Sequence, residues 1–245
     1  MPCYNKANKL LKSRKMVNMN NLERVNYIYK LNQKYMANNF NGIYTADINY
    51  KIIDGKLPVL LSAPHAVKSF KEGKIKAPDA LTGAIVELLC METGTKGITR
   101  TCNLNDEPNS ENTGHGLEYK KAILGLADKN NTVCMLDIHG CAGDNPFDID
   151  IGTNDGLNIN GKSYFLDIIY KNLLPLGNIV IDNKFKASID TNISNYISNE
   201  SNLSCFQIEI NANLRRNPQK LLHLIDCLEK TIKQLTRQIE HDYEK

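Results

Sequence analysis

No two cysteines in this 245-residue sequence stand in a Cys-x-x-Cys pair. That absence excludes a zinc ribbon and a thioredoxin-type redox motif. The seven cysteines are odd in number, and several sit in apolar runs, such as Cys134 in TVCMLDIHG and Cys205 in LSCFQIEI. Free cysteines of this kind act as small core residues, and the pattern fits a reducing, cytoplasmic setting. There is no run of about 20 apolar residues, so the sequence offers no membrane span. The basic start MPCYNKANKLLKSRK is followed by no apolar h-region, and residues 1–19 read as a flexible basic tail. Neither sign of charge dominates: 30 basic residues face 27 acidic ones, a net charge of +3. Such a balance does not mark a nucleic-acid partner, but it is compatible with a small anionic substrate. Nothing in the sequence sets an oligomeric state.

What is present is an alternation of strand and helix patterns. Residues 20–39 carry Leu22, Val25, Ile28 and Leu31 near helical spacing, which predicts an amphipathic helix. GIYTADINY and LPVLLSAP read as strands, and Asp54-Gly55 between them predicts a hairpin. PDALTGAIVELLCMETG has Pro at its start and Gly at its end, the punctuation of a helix. Strands are expected at GITRTCN, TVCMLDIHG, FDIDIGT, NIVIDNKF and CFQIEIN. Helices are expected at 117–129, 162–174, NISNYISNE and from Pro218 onward. The alternation predicts an α/β fold, three αβα layers around a mixed, mostly parallel sheet, in one domain spanning 1–245.

Histidine is scarce, with five in the chain. Two of them, His65 in VLLSAPHA and His139 in VCMLDIHG, end apolar strands in the same way. Sites in such sheets gather at the carboxyl ends of strands, and two histidines there suit a metal. A catalytic zinc takes three protein ligands and keeps one position for water. Asp79, at the start of the expected helix, is a candidate third ligand, although an acid there also suits the helix dipole. His115 in NTGHG is the alternative. Asp137 lies two residues before His139 on the same face, placed to orient a histidine. Glu209, between isoleucines on a strand, is costly to bury unless paired. It reads either as an ion-pair partner of Arg215 or Arg216, or as a general base.

SAPH, the acidic PD, LDIHG, DIDIGT and QIEINANLR follow in order the motifs of the N-formylglutamate amidohydrolase-like proteins, which this sequence resembles from about Val59 to Arg215. That family is similar to the zinc carboxypeptidases and aspartoacylases. The resemblance implies a phosphorylase/hydrolase-like fold and one zinc ion per chain. It implies His65, Asp79 and His139 as metal ligands and Glu209 as the catalytic glutamate. Arg100 in ITRTCNLN and Arg215 after the catalytic strand would polarise a carbonyl or grip a substrate carboxylate. Asn105, Asp150 and Tyr119 are further pocket candidates. The sequence departs from the family after the first histidine, where it reads PHAVKSF in place of a pattern such as PHGG or PHSG, and in NLNDEPN, which lacks an arginine often found near this point.

The activity so implied is zinc-dependent cleavage of an amide bond in a small N-acyl amino acid or short peptide bearing a carboxylate. Rival readings are a carboxypeptidase-like peptidase, an inactive ligand-binding member of the fold, and nucleophilic catalysis by Cys141 or Ser62. Neither nucleophile sits in a G-x-S-x-G elbow or a cysteine-protease context.

Overall fold

The structure, a computed structural model, describes residues 19–44, 48–128 and 131–244. Apart from Met19, the tail expected over residues 1–19 lies outside the described residues. Seven strands form one sheet: β1 (Tyr50–Ile53), β2 (Val59–Ala63), β5 (Lys96–Arg100), β6 (Cys134–Cys141), β7 (Ile149–Gly152), β8 (Ile179–Ile181) and β9 (Ser204–Asn211). Their order is β1-β5-β2-β6-β9-β7-β8. The pairs β5–β2, β2–β6, β6–β9 and β7–β8 are parallel, whereas β1–β5 and β7–β9 are antiparallel. The sheet is therefore mixed and mostly parallel, with helices on both faces. A separate hairpin pairs β3 (Ser69–Lys71) with β4 (Lys74–Lys76).

Alternation along the central strands builds the layers. On β2, β6 and β9, the side chains of Val59, Leu61, Leu136, Ile138, Phe206, Ile208 and Ile210 join the larger core. Helices α1 (Asn21–Phe40), α2 (Thr82–Thr93), α4 (Ser163–Leu173) and α7 (Pro218–Tyr243) contribute to that core. The long C-terminal helix supplies the stripe Leu221, Leu224, Ile225, Leu228, Ile232, Leu235 and Ile239, all buried. Asn217 caps it and Pro218 opens it, the expected helix-start chemistry.

The opposite face changes character along each strand. Near the strand starts, Leu60, Met135 and Cys205 pack against Tyr119, Ile123, Ile193 and Ile197 of α3 (Gly114–Asp128) and α5 (Ile193–Glu200). Towards the carboxyl ends the same face carries Asp137, His139, Gln207 and Glu209, all buried. Register aligns Asp137 with Gln207 and His139 with Glu209, so this polar set is contiguous.

Two local expectations are corrected. Asp54-Gly55 makes no β1–β2 hairpin, because β5 lies between the two strands. The connection crosses the start of β5 so closely that a Cβ on Gly55 would fall 2.3 Å from the Lys96 nitrogen. The helix expected from Pro78 begins at Thr82, since Leu81 takes a left-handed conformation at φ 77°. Among the described residues, the six cysteines are free and buried, and no helix is long and apolar enough to cross a membrane.

Candidate metal centre

His65 follows β2 and His139 lies near the end of β6, two neighbouring parallel strands, which brings their rings together. Their Nδ1 atoms are 3.1 Å apart. Asp79 reaches the same point from the turn before α2, and its backbone N–H donates to the His65 carbonyl at 2.8 Å. Its Oδ2 lies 3.2 Å from His65 Nδ1 and 3.5 Å from His139 Nδ1.

The other nitrogen of each ring faces a carboxylate. His139 Nε2 is 2.9 Å from Asp137 Oδ2, and His65 Nε2 is 2.5 Å from Glu107 Oε1. With a proton on each Nε2, donated to those carboxylates, the two Nδ1 lone pairs converge. Two lone pairs at that separation repel each other unless a cation or proton lies between them.

The triangle fits a zinc ion. Bonds of about 2.0–2.2 Å at tetrahedral angles set ligand atoms roughly 3.3 Å apart, and the three observed edges span 3.1 to 3.5 Å. Among the described residues, His65, Asp79 and His139 form the one such cluster of potential ligands. The charge balance points the same way. Asp79, Glu107, Asp137 and Glu209 are all buried here, and Glu107 Oε2 and Asp137 Oδ1 lack hydrogen-bond partners. Burial works against the Asp79 carboxylate, but the adjacent His139 and His65 rings outweigh it and hold its pKa far below the usual range. Burial also opposes a charged His139, but Asp137, Asp79 and Glu209 together outweigh it and raise its pKa. A buried cluster this rich in carboxylates calls for a compensating cation.

Glu209 Oε1 stands 3.9 Å from His139 Nδ1 and accepts a hydrogen bond from Gln207 Nε2 at 3.2 Å. Burial pushes its pKa up to about 7, with Asp79 adding to the rise and His139 opposing it. Glu209, Asp79 and His65 open on a cavity of about 500 Å³. The loop 183–189 and Lys76 form its other walls.

The remaining residues singled out from the sequence do not line this cavity themselves. Arg100 is fully buried and spends its guanidinium on Asp106, Ser69 Oγ and the Lys68 carbonyl. It staples the base of the β3–β4 hairpin to the loop bearing Glu107, and the catalytic role expected of it is not supported by that position. Arg215 donates to the carbonyls of Ile210, Cys141 and Ala80. It runs so close to Gly140 that a Cβ there would meet its Cζ at 2.5 Å, and it is committed to joining β9, β6 and the Asp79 turn. Asp150 accepts from the backbone N–H groups of Asn183, Lys184 and Phe185, so it shapes the cavity wall from behind. Tyr119 is buried, with its hydroxyl 3.0 Å from Ser62 Oγ and donating to the Ile98 carbonyl. Asn105 is exposed in a left-handed turn at φ 59°. Its N–H donates to Asn103, 3.0 Å away.

The rival chemistries fare no better. Ser62 is tied to Tyr119, and burial pushes the Cys141 thiol up to about 11, which leaves little thiolate near neutrality. His115 pairs with Glu118 at 2.8 Å on α3, apart from the metal cluster. Glu107 and Lys76 are site residues that strand-end reasoning passed over. The only available signal for Glu107 was an acid followed by proline in a polar loop.

No protein-family model and no curated protein matches the sequence. Solved structures do match in fold. An N-formylglutamate amidohydrolase from Ralstonia eutropha JMP134 superposes with a TM-score of 0.57 at 15% identity, over 78% of this chain and 98% of that one. A bacteriophage poly-gamma-glutamate hydrolase gives 0.52 at 16% identity, over 78% and 92%. A gene product of Agrobacterium tumefaciens gives 0.58 at 12% identity, over 78% and 95%. The chain shares the fold of these proteins. That agrees with the fold implied by the sequence motifs.

Proposed function

We propose that this protein is a zinc-dependent amidohydrolase that cleaves the amide bond of a small N-acyl amino acid or short peptide carrying a carboxylate. The observation that carries the reading is the triangle of His65 Nδ1, Asp79 Oδ2 and His139 Nδ1 with Glu209 beside it. The fold it shares with a protein named N-formylglutamate amidohydrolase supports the same class.

Zinc, when bound by these three residues, supplies a Lewis acid that lowers the pKa of a water to about 7 and polarises a carbonyl. The protein's own contribution is positional. Asp137 and Glu107 hold the two Nε2 protons, fixing each ring's tautomer and aim. Glu209 is the general base: it takes the proton of the attacking water at its carboxylate and passes it to the departing amine nitrogen. Gln207 keeps the Glu209 carboxylate facing the cavity by its hydrogen bond. The cavity admits a ligand the size of an acylated amino acid, and its lysines favour an anionic one. The buried free thiols suit a reducing, cytoplasmic compartment.

The test is a panel of N-acyl amino acids and short peptides, N-formylglutamate first, assayed with zinc-loaded protein for release of free amine. Turnover of an acyl amino acid, abolished by chelation and restored by zinc, is expected. Turnover that survives chelation would contradict the reading.

A further inference from the structure

Neither arginine expected at the substrate lines the cavity, and among the described residues lining it there is no arginine. Three lysines line it instead: Lys76, Lys184 and Lys186. Lys186 is paired with Asp155, with Nζ 3.1 Å from Oδ1, and Lys184 donates to Asn145 Oδ1 at 2.8 Å. Lys76 differs in position. Its Nζ is 3.2 Å from both ring nitrogens of His65. An atom equidistant from the two lies over the ring, not in line with either lone pair, so its charge sits beside the metal centre without occupying a ligand position. Glu107 Oε2 lies 3.6 Å from this Nζ, and the lysine's charge also acts on the Glu209 carboxylate. Glu107 is itself committed to His65 through the other oxygen.

The backbone holds Lys76 in this place. The segment between His65 and Asp79 forms the β3–β4 hairpin, turned by Glu72 and Gly73 at φ 51° and 76°. Two successive positive φ angles match the tight turn favoured in hairpins. The hairpin's base is fixed by Arg100 and by the Phe70 N–H donating to the Asp106 carbonyl at 3.1 Å. Lys76 ends the second strand, three residues before Asp79, with its side chain 44% exposed at the cavity mouth. A cation so placed can meet an incoming anion without breaking a buried network.

We propose that Lys76 is the anion-stabilising catalytic residue of this site, receiving the negative charge that develops on the scissile carbonyl oxygen. A preorganised donor at that point is worth about 100- to 1,000-fold in rate. The proposal rests on the zinc hydrolase reading, but its test does not need a known substrate. Inorganic phosphate serves as a tetrahedral oxyanion probe. Its affinity for zinc-loaded wild type, Lys76→Met and Lys76→Arg is measured by isothermal titration calorimetry, with zinc content and melting temperature checked for each.

The expected result is that phosphate binds wild type, that Lys76→Met weakens it at least about tenfold, and that Lys76→Arg largely restores it. Zinc affinity, measured against a chelator, should rise in Lys76→Met, because a neighbouring positive charge is gone. Phosphate binding that is equal in wild type and Lys76→Met, or absent from wild type, would overturn the proposal. Protein that takes up no zinc fails the hydrolase reading instead, so the two failures are distinguishable.

Discussion

Glu107 Oε1 lies 2.5 Å from His65 Nε2, across 42 positions of sequence. Asp137 meets His139 Nε2 in the same way from two positions away. In the proposed site the two contacts do one job, holding a proton on Nε2 so that Nδ1 is free to bind a metal. Removing the acceptor charge should loosen the ring and lower its basicity. Glu107→Gln and Asp137→Asn are each expected to weaken zinc affinity by about 10- to 100-fold, measured by chelator competition. Unchanged affinity in both would show that the carboxylates do not tune the ligands.

Glu209 offers a separation of binding from chemistry. Glu209→Gln keeps the shape and the hydrogen bond from Gln207 but cannot take a proton. Its zinc content should match wild type, while kcat falls by about 100- to 10,000-fold. Loss of zinc in this variant would mean that Glu209 is itself a ligand.

Asp150 makes a prediction about the cavity wall. One carboxylate accepts three successive backbone N–H groups, from Asn183, Lys184 and Phe185. A carboxamide has one acceptor oxygen and cannot serve all three. In Asp150→Asn, amide exchange at 183–185 should accelerate, while the amides of β6 and β9 keep their protection. Uniform acceleration across the sheet would indicate global destabilisation instead.

Stability at acid pH should depend on Glu87, a buried residue of α2 outside the candidate metal cluster. This glutamate is only 4% exposed and is bonded to Tyr35, Lys34 and Lys51. Burial opposes its charge, but the hydrogen bonds from Lys34 and Tyr35 win and lower its pKa below the ordinary value of a glutamate. A depressed folded-state pKa gives stability that is full above the unfolded value, near 4.3, and is lost as pH falls through the folded value. Glu87→Gln should therefore cost about 2 kcal/mol near neutrality, with the gap to wild type closing below about pH 4. Urea melts at pH 7 and pH 3 check both halves, and a gap that persists at pH 3 would rule out the ionised form as its source.

The legible part of the site was the part written along strands. His65 and His139 each end an apolar run, and parallel neighbours must bring such ends together. Asp79 was visible as an acid ahead of a helix, although the helix starts three residues later because Leu81 turns left-handed. Asp137 and Glu209 follow from period-two alternation on β6 and β9. What stayed hidden depends on loops whose paths are set by distant contacts. Glu107 reaches His65 from a loop that Arg100, Asn49 and the Phe70 N–H tie down through Asp106, and no local spacing encodes that. The same arginine shows the converse error. A motif match suggested substrate contact, whereas its terminal nitrogens bond to the Lys68 carbonyl, Ser69 Oγ and Asp106. The β1–β2 hairpin failed for a similar reason, since a turn sequence says where the chain bends but not which strand it returns to.

The central claim is that two strand-end histidines share one zinc ion. Its most direct test is elemental analysis of purified protein, wild type beside His65→Ala and His139→Ala, after zinc loading and removal of excess metal. About one zinc per chain in wild type, lost in both variants, is the expected result. Zinc retained in either variant, or absent from wild type, would contradict it.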